Sequence, residues 1–169
     1  EQFKHIDMHI WHHGDAIERT PEGQLRIIGR SDATLNQNGV RIGAAAIYNQ
    51  LEDFSDHIED AAAVDFKRPD NEQAITVLFL KLKEPLDEVS DVLKKGIRDA
   101  VKNNVTPYAM PTEIFTAPGI LKTPNGKKAE VVIKKIINGT KIPNASLYGE
   151  DLVAFYEEMG MRLNEKYSG

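Results

Sequence analysis

The sequence predicts an α+β fold, a short sheet packed with helices and preceded by a separate β-hairpin. After residue 32 the periodicities run hairpin-like loop, helix, strand, strand, helix, strand, helix, the order of a small sheet covered by helices. Within that order AITVLFLKLK, residues 74–83, is apolar and β-branched enough for a central strand. Leu86 to Asn104 is the clearest helix, with Val89, Leu93, Ile97 and Val101 recurring at near-helical spacing and charges opposite.

The other elements follow from turn chemistry and period. GDAIERTPEGQLRIIGR reads as two strands around a TPEG turn, with Pro21 and Gly23 at the bend. SDATLNQNGVRIG is a loop carrying an Asn-Gly turn at Asn38–Gly39 between two short strands. In GAAAIYNQLEDF, Ile47, Leu51 and Phe54 keep a helical period. IEDAAAVDF reads as a strand, KRPDNEQ as a polar turn and TEIFTAP as an extended segment after Pro107 and Pro111. AEVVIKKII reads as a helix with a stripe of Val131, Val132, Ile136 and Ile137, stopped at Asn138-Gly139. EDLVAFYEEM reads as a last short amphipathic helix, packing through Leu152, Phe155 and Tyr156.

Composition excludes several classes of function. With 169 residues the chain suits one domain, or one domain plus a piece of another. A net charge of −5 argues against a nucleic-acid surface. No apolar run reaches the length of a membrane span, and no signal-peptide pattern opens the chain. With no cysteine there is no disulfide, thiol nucleophile or thiolate metal site, which fits a cytosolic protein. The chain opens at EQFKHID without an initiator methionine, as a piece of a longer protein would. Four of its five histidines fall in residues 1–13, and His5, His9 and His12 would share one face of a helix. That spacing could bind a metal, but no acidic partner accompanies it and HIWHHGD reads better as an extended lead into a turn. No metal site is assigned.

The chemically suggestive stretch is TPNGKK at 123–128. A Pro-Gly turn can hold a lysine as a fixed positive charge for a phosphate. By spacing alone, an exposed turn with surface lysines is the better reading. It is not a Walker phosphate loop, because the GxxxxGK[ST] spacing is missing.

Three stretches together carry a resemblance. HGD at 13–15, GRSDATLNQNGVRIGAAAIY at 29–48 and LKTPNGKK at 121–128, in this order and spacing, resemble the adenylate-forming acyl-CoA synthetases over most of the chain. The pattern is most similar to the acetoacetate-activating members. The resemblance implies that residues 1–31 are the terminal strands of a large amino-terminal adenylating domain. Residues 32–169 would then be the small mobile carboxy-terminal domain, with a helical tail from about 145. The missing large domain would hold the acyl pocket, so the fragment alone is expected to be inactive. The implied substrates are ATP with Mg2+, CoA, and acetoacetate or a similar short carboxylic acid. Acetyl-CoA or other short-chain acyl-CoA synthesis, and a non-catalytic CoA- or nucleotide-binding module, are the alternatives.

Residue by residue, Lys127 matches the family's catalytic lysine, and Lys128 beside it reads as a surface residue. Asp15 matches the aspartate that accepts from the ribose hydroxyls, with a turn-capping role as the alternative. Arg30 matches the arginine that holds the nucleotide near the hinge, and an ordinary strand-end salt bridge is the alternative. Asp32 matches the hinge, followed here by Ala33 where many relatives carry a second acid. Gly39 and Arg41 match the loop that swings inward for thioester formation, with Arg41 facing a phosphate of AMP or CoA. Lys102 falls where some relatives place an arginine for the CoA phosphates, and it also fits the solvated face of its helix. Lys127 and the NGVRIG loop are expected at opposite ends of the small domain, exchanged by rotation about Asp32. Acylation of Lys127 by a regulator would neutralise it.

Overall fold

A computed structural model describes residues 15–30, 34–37, 39–70 and 73–168. The histidine-rich stretch at 1–13 and the hinge position Asp32 lie outside the described residues.

Strands β1 (Asp15–Arg19) and β2 (Leu25–Arg30) form the antiparallel hairpin expected around TPEG. β3 (Thr34–Gln37) and β4 (Val40–Gly43) form a second antiparallel pair, with Gln37 opposite Val40. Gly39, between them, takes φ 84°. That left-handed conformation is what a two-residue hairpin turn demands and what glycine adopts without steric cost. Helix α1 (Ala44–Gln50) follows β4 directly.

The main sheet has the order β5–β6–β7: β5 (Ile58–Lys67) antiparallel to β6 (Ala74–Leu82), and β6 parallel to β7 (Glu113–Thr116). The apolar run read as a central strand is central. A parallel pair needs a long crossover, and α2 (Asp91–Asn104) supplies it. The helix begins later than the apolar spacing predicts. Ser90 is its N-cap, its side chain accepting from the Leu93 amide at 3.2 Å. Val89 is buried just ahead of the helix and Leu86 is exposed.

Both faces of the sheet are covered, which is why its strands read as unbroken apolar runs. Ala62, Val64, Phe66, Val77 and Phe79 point to one side, against α3 (Glu130–Ile137) and α4 (Glu150–Tyr167). Ala61, Ala63, Leu78 and Leu80 point to the other, against the β3–β4 hairpin, α1 and α2. The stripe on α3 is Ile133, Ile136 and Ile137; Val131 and Val132 are only half-buried. The reading by spacing missed Ile133, the one deep position on the first turn.

The last helix is much longer than a short amphipathic segment. It buries Val153, Tyr156, Met159 and Leu163 as a continuous seam, with Leu152 and Phe155 at the rim. The Tyr156 hydroxyl donates to the Gly119 carbonyl at 2.9 Å, so the one large polar tip in this core is satisfied. Where α4 crosses α3, Gly160 lies so close that a Cβ would sit 2.7 Å from the Ile137 carbonyl oxygen. Gly160→Val should therefore force the helices apart and cost about 1–3 kcal/mol, read as a lower urea midpoint. An unchanged midpoint would mean that α4 is not seated as described.

Candidate active site: the lysine turn and its anchors

The turn that carries Lys127 is built by local hydrogen bonding. The Gly126 amide donates to the Thr123 carbonyl at 2.8 Å, and the Thr123 amide donates to the Lys127 carbonyl at 2.7 Å. The Lys127 amide also donates to the Thr123 hydroxyl at 3.2 Å. Gly126 takes φ 77°, so Pro124, Asn125 and Gly126 form a three-residue hairpin loop closed by a left-handed glycine. Behind it, Lys122 and Lys128 pair as an antiparallel bridge, and the Ala129 amide donates to the Leu121 carbonyl at 2.9 Å. Leu121 and Ala129 are buried in the core. The stem is thus rooted in the sheet's apolar layer while the loop stands outside it.

Successive residues on a hairpin strand point to opposite sides, and the two lysines divide accordingly. Lys127 is exposed, and its side chain has no polar partner among the described residues. Lys128, expected at the surface, is instead turned inward. Its ammonium lies 2.9 Å from Asp60 Oδ1, donates to the Ala61 carbonyl at 2.8 Å and sits 4.2 Å from the centre of the Tyr48 ring. The three contacts explain the correction, since a half-buried ammonium needs a counter-charge and acceptors. Lys122, on the other leg, reaches Asp60 Oδ2 at 3.0 Å. Burial alone would raise the Asp60 pKa, but bonds from Lys128 and Lys122 outweigh it and hold the carboxyl below its usual value. Tyr48 completes the cluster, accepting from the Ala63 amide at 3.0 Å and donating to Glu130 at 3.1 Å. Burial and then the Glu130 charge push its phenol far up, so it remains a neutral donor.

A second anchor lies five residues along β5. Asp65 is 3% exposed, and its Oδ2 accepts from the Asn36 amide of β3 and from Lys134 of α3, both at 3.0 Å. Its other oxygen is buried with no partner. Burial raises its pKa; the Asn36 amide and Lys134 only partly offset this. Asp65 lines a cleft of about 660 Å³ together with Gly39, Lys134, Lys135 and Asn138.

The remaining sequence-derived candidates fall as follows. Asp15 and Arg30 are direct register partners across β1 and β2. Gly39 and Arg41 sit on the β3–β4 hairpin, and Arg41 is exposed opposite Asn36. Lys102 is exposed in the last turn of α2, where a cation also favours the helix dipole. The hairpin residues and Lys127 are held on different elements. Among the described residues, no group of three or more His, Asp or Glu is placed to hold a metal ion. Sequence reasoning missed Asp60, Tyr48 and Asp65. The only signal for the two aspartates was that one lies inside the apolar run AAAVDF and the other just before it, and nothing singled out Tyr48.

The fold and this order of loops define a class: the carboxy-terminal part of an adenylate-forming acyl-CoA synthetase. The acetoacetyl-CoA synthetase of Rattus norvegicus is 39% identical over 140 residues, 82% of this chain and 20% of its own length. The malonamoyl-CoA synthetase of Penicillium aethiopicum is 38% identical over 155 residues, 88% of this chain and 21% of its own. The solved acetoacetyl-CoA synthetase from Streptomyces lividans superposes with a TM-score of 0.72 at 33% identity, covering 90% of this chain and 23% of that one. No family model matches the chain. The chain belongs to the adenylate-forming acyl-CoA synthetases, and it spans about a fifth of the length of the curated relatives it matches.

The two aspartates predict opposite pH responses. Asp65, with its raised folded pKa, favours the fold fully only below its ordinary value of 3.8, and that contribution is lost as pH rises through the folded pKa. Asp60, with its lowered pKa, favours the fold above 3.8 and loses that contribution in acid. Asp65→Asn should therefore raise the urea midpoint at pH 7, and the gap to wild type should close as the pH falls toward 3.8. A gap that widens in acid would contradict the assignment.

Proposed function

We propose that this chain is the carboxy-terminal part of an ATP-dependent acid–CoA ligase, and that Lys127 serves its adenylation step. In the first half-reaction a carboxylate oxygen attacks the α-phosphorus of ATP, and pyrophosphate leaves with acyl-AMP formed. In the second, the CoA thiol attacks the acyl carbon and AMP leaves. The first step brings two anions together, and a fixed ammonium offsets their repulsion in the transition state. The observation that carries the reading is the contrast between adjacent lysines. Lys128 is consumed by structure, whereas Lys127 is presented, unpaired among the described residues, on an ordered turn. A lysine ammonium suits the task as a compact charge that can face both carboxylate and phosphate.

The other roles follow the resemblance. Asp15 and Arg30, paired in register, would bind the nucleotide, and Asp32 would be the hinge. Gly39 and Arg41 would guide the CoA arm and its phosphate, with Lys102 as a further phosphate contact. We place the boundary between large and small domains at residues 31–32. The β1–β2 hairpin supports it: Ile17 and Leu25 are 56% and 72% exposed. A two-stranded hairpin with bare apolar residues needs another layer to be stable. The Mg2+ that accompanies ATP finds no ligand cluster among the described residues.

For the acid, acetoacetate or a short analogue fits best. The acyl groups named for the two curated relatives, acetoacetyl and malonamoyl, both carry a carbonyl at the third carbon. A lysine-acylating regulator acting on Lys127 fits its exposure.

The test uses the full-length ligase that carries this chain. Thioester formation is followed from acetoacetate plus ATP, and separately from preformed acetoacetyl-AMP. Lys127→Ala should lower the first rate by about 10²–10³ and leave the second unchanged. If both routes survive, Lys127 is a surface lysine.

A further inference from the structure

The Lys127 loop is held from both legs by a single carboxylate. Lys122 on the incoming leg takes Asp60 Oδ2 at 3.0 Å, and Lys128 on the outgoing leg takes Asp60 Oδ1 at 2.9 Å. Asp60 is itself fixed. It sits on β5 at a register irregularity, is 15% exposed, and its Oδ1 also accepts from the Ala61 amide at 2.9 Å. Lys128 is further held by the Ala61 carbonyl and the Tyr48 ring. A surface lysine turn has no need of such a clamp, and exposed ion pairs taken singly contribute little to stability. A turn that must deliver an ammonium to one place does need it, because misplacement by about 1 Å can cost about 10²-fold in rate.

We propose that Asp60 is a positioning residue for Lys127, bridging the two legs of its hairpin so that the ammonium is presented in one geometry. The proposal rests on the adenylation reading of Lys127. Asp60 acts only through Lys122 and Lys128, so its effect belongs to the half-reaction that uses Lys127.

In the full-length ligase, Asp60→Ala should lower kcat for thioester formation from acid plus ATP by about tenfold or more, with little change in KM for ATP. The rate from preformed acyl-AMP should stay at the wild-type value. Lys122→Gln removes one leg's contact at a half-exposed side chain outside the core. It should give a smaller fall confined to the same half-reaction, so the proposal remains testable if Asp60→Ala folds poorly. Equal losses in both half-reactions would make Asp60 merely structural and overturn the proposal, as would adenylation unaffected by both variants. Lys127→Ala, assayed alongside, separates the two claims. If it leaves adenylation intact, the reading of Lys127 fails. If it abolishes adenylation while the Asp60 and Lys122 variants do not slow it, only the positioning role fails.

Discussion

The outer edge of β5 is the constraint around which this fold is arranged. β6 pairs with one side of β5, and no strand among the described residues pairs with the other. An open edge with buried flanks leaves amides and carbonyls that must be satisfied or exposed to another chain. Side chains from three different elements do the work. Lys128 bonds the Ala61 carbonyl, Tyr48 takes the Ala63 amide, and Asn138 both donates to the Asp65 carbonyl and accepts from the Lys67 amide. The lysine hairpin, α1 and the end of α3 therefore converge on one strand. Their positions follow from its unpaired backbone as much as from apolar burial.

The same strand separates the lysine hairpin from the Gly39 hairpin. Asp60 grips the lysine hairpin, and Asp65 grips β3 of the Gly39 hairpin. Five residues of strand place these anchors ~17 Å apart, at about 3.4 Å per residue. Two loops so spaced on a rigid strand cannot readily serve one small reaction centre at the same moment. Under the proposed function, a rotation of the whole domain would bring them in by turns and leave the internal packing untouched. The electrostatics of the anchors differ as well. Asp60 is matched by two cations, whereas Asp65 is deeply buried with an orphaned oxygen. The lysine hairpin is thus the more firmly compensated of the two.

Most of the fold was legible from local rules. Turn residues marked the hairpins at TPEG, at the Asn38–Gly39 pair and at TPNGK, and the apolar run at 74–83 marked the central strand, because each signal is confined to a few neighbouring positions. What spacing could not resolve was which of two plausible faces met the core. Ile133 lies deeper than Val131 and Val132 in the core that α3 shares with α4, whose Gly160 meets Ile137 from more than twenty residues away. The start of α2 was set by the Ser90 cap rather than by the apolar period that ran through it. At the site, Lys127 was identifiable from its turn. The inward seat of Lys128 was not, since it depends on Asp60 and Tyr48, brought near only by the sheet.

The hairpin bearing Lys127 has a twin in the same chain. Thr20-Pro21-Glu22-Gly23 closes with the same three bonds: Gly23 amide to Thr20 carbonyl, Thr20 amide to Gln24 carbonyl, and Gln24 amide to Thr20 hydroxyl. Gly23 takes φ 85°, beside 77° at Gly126. Gln24 thus occupies the place that Lys127 holds in the other copy. The frame is a generic part, used once to join two strands and once to mount a charge. Its chemical meaning resides in a single interchangeable occupant and in the footing beneath it. A five-residue cassette of this kind is portable, but the pose of its occupant is not: on another stem, a bridge across both legs like that of Asp60 would have to be supplied anew.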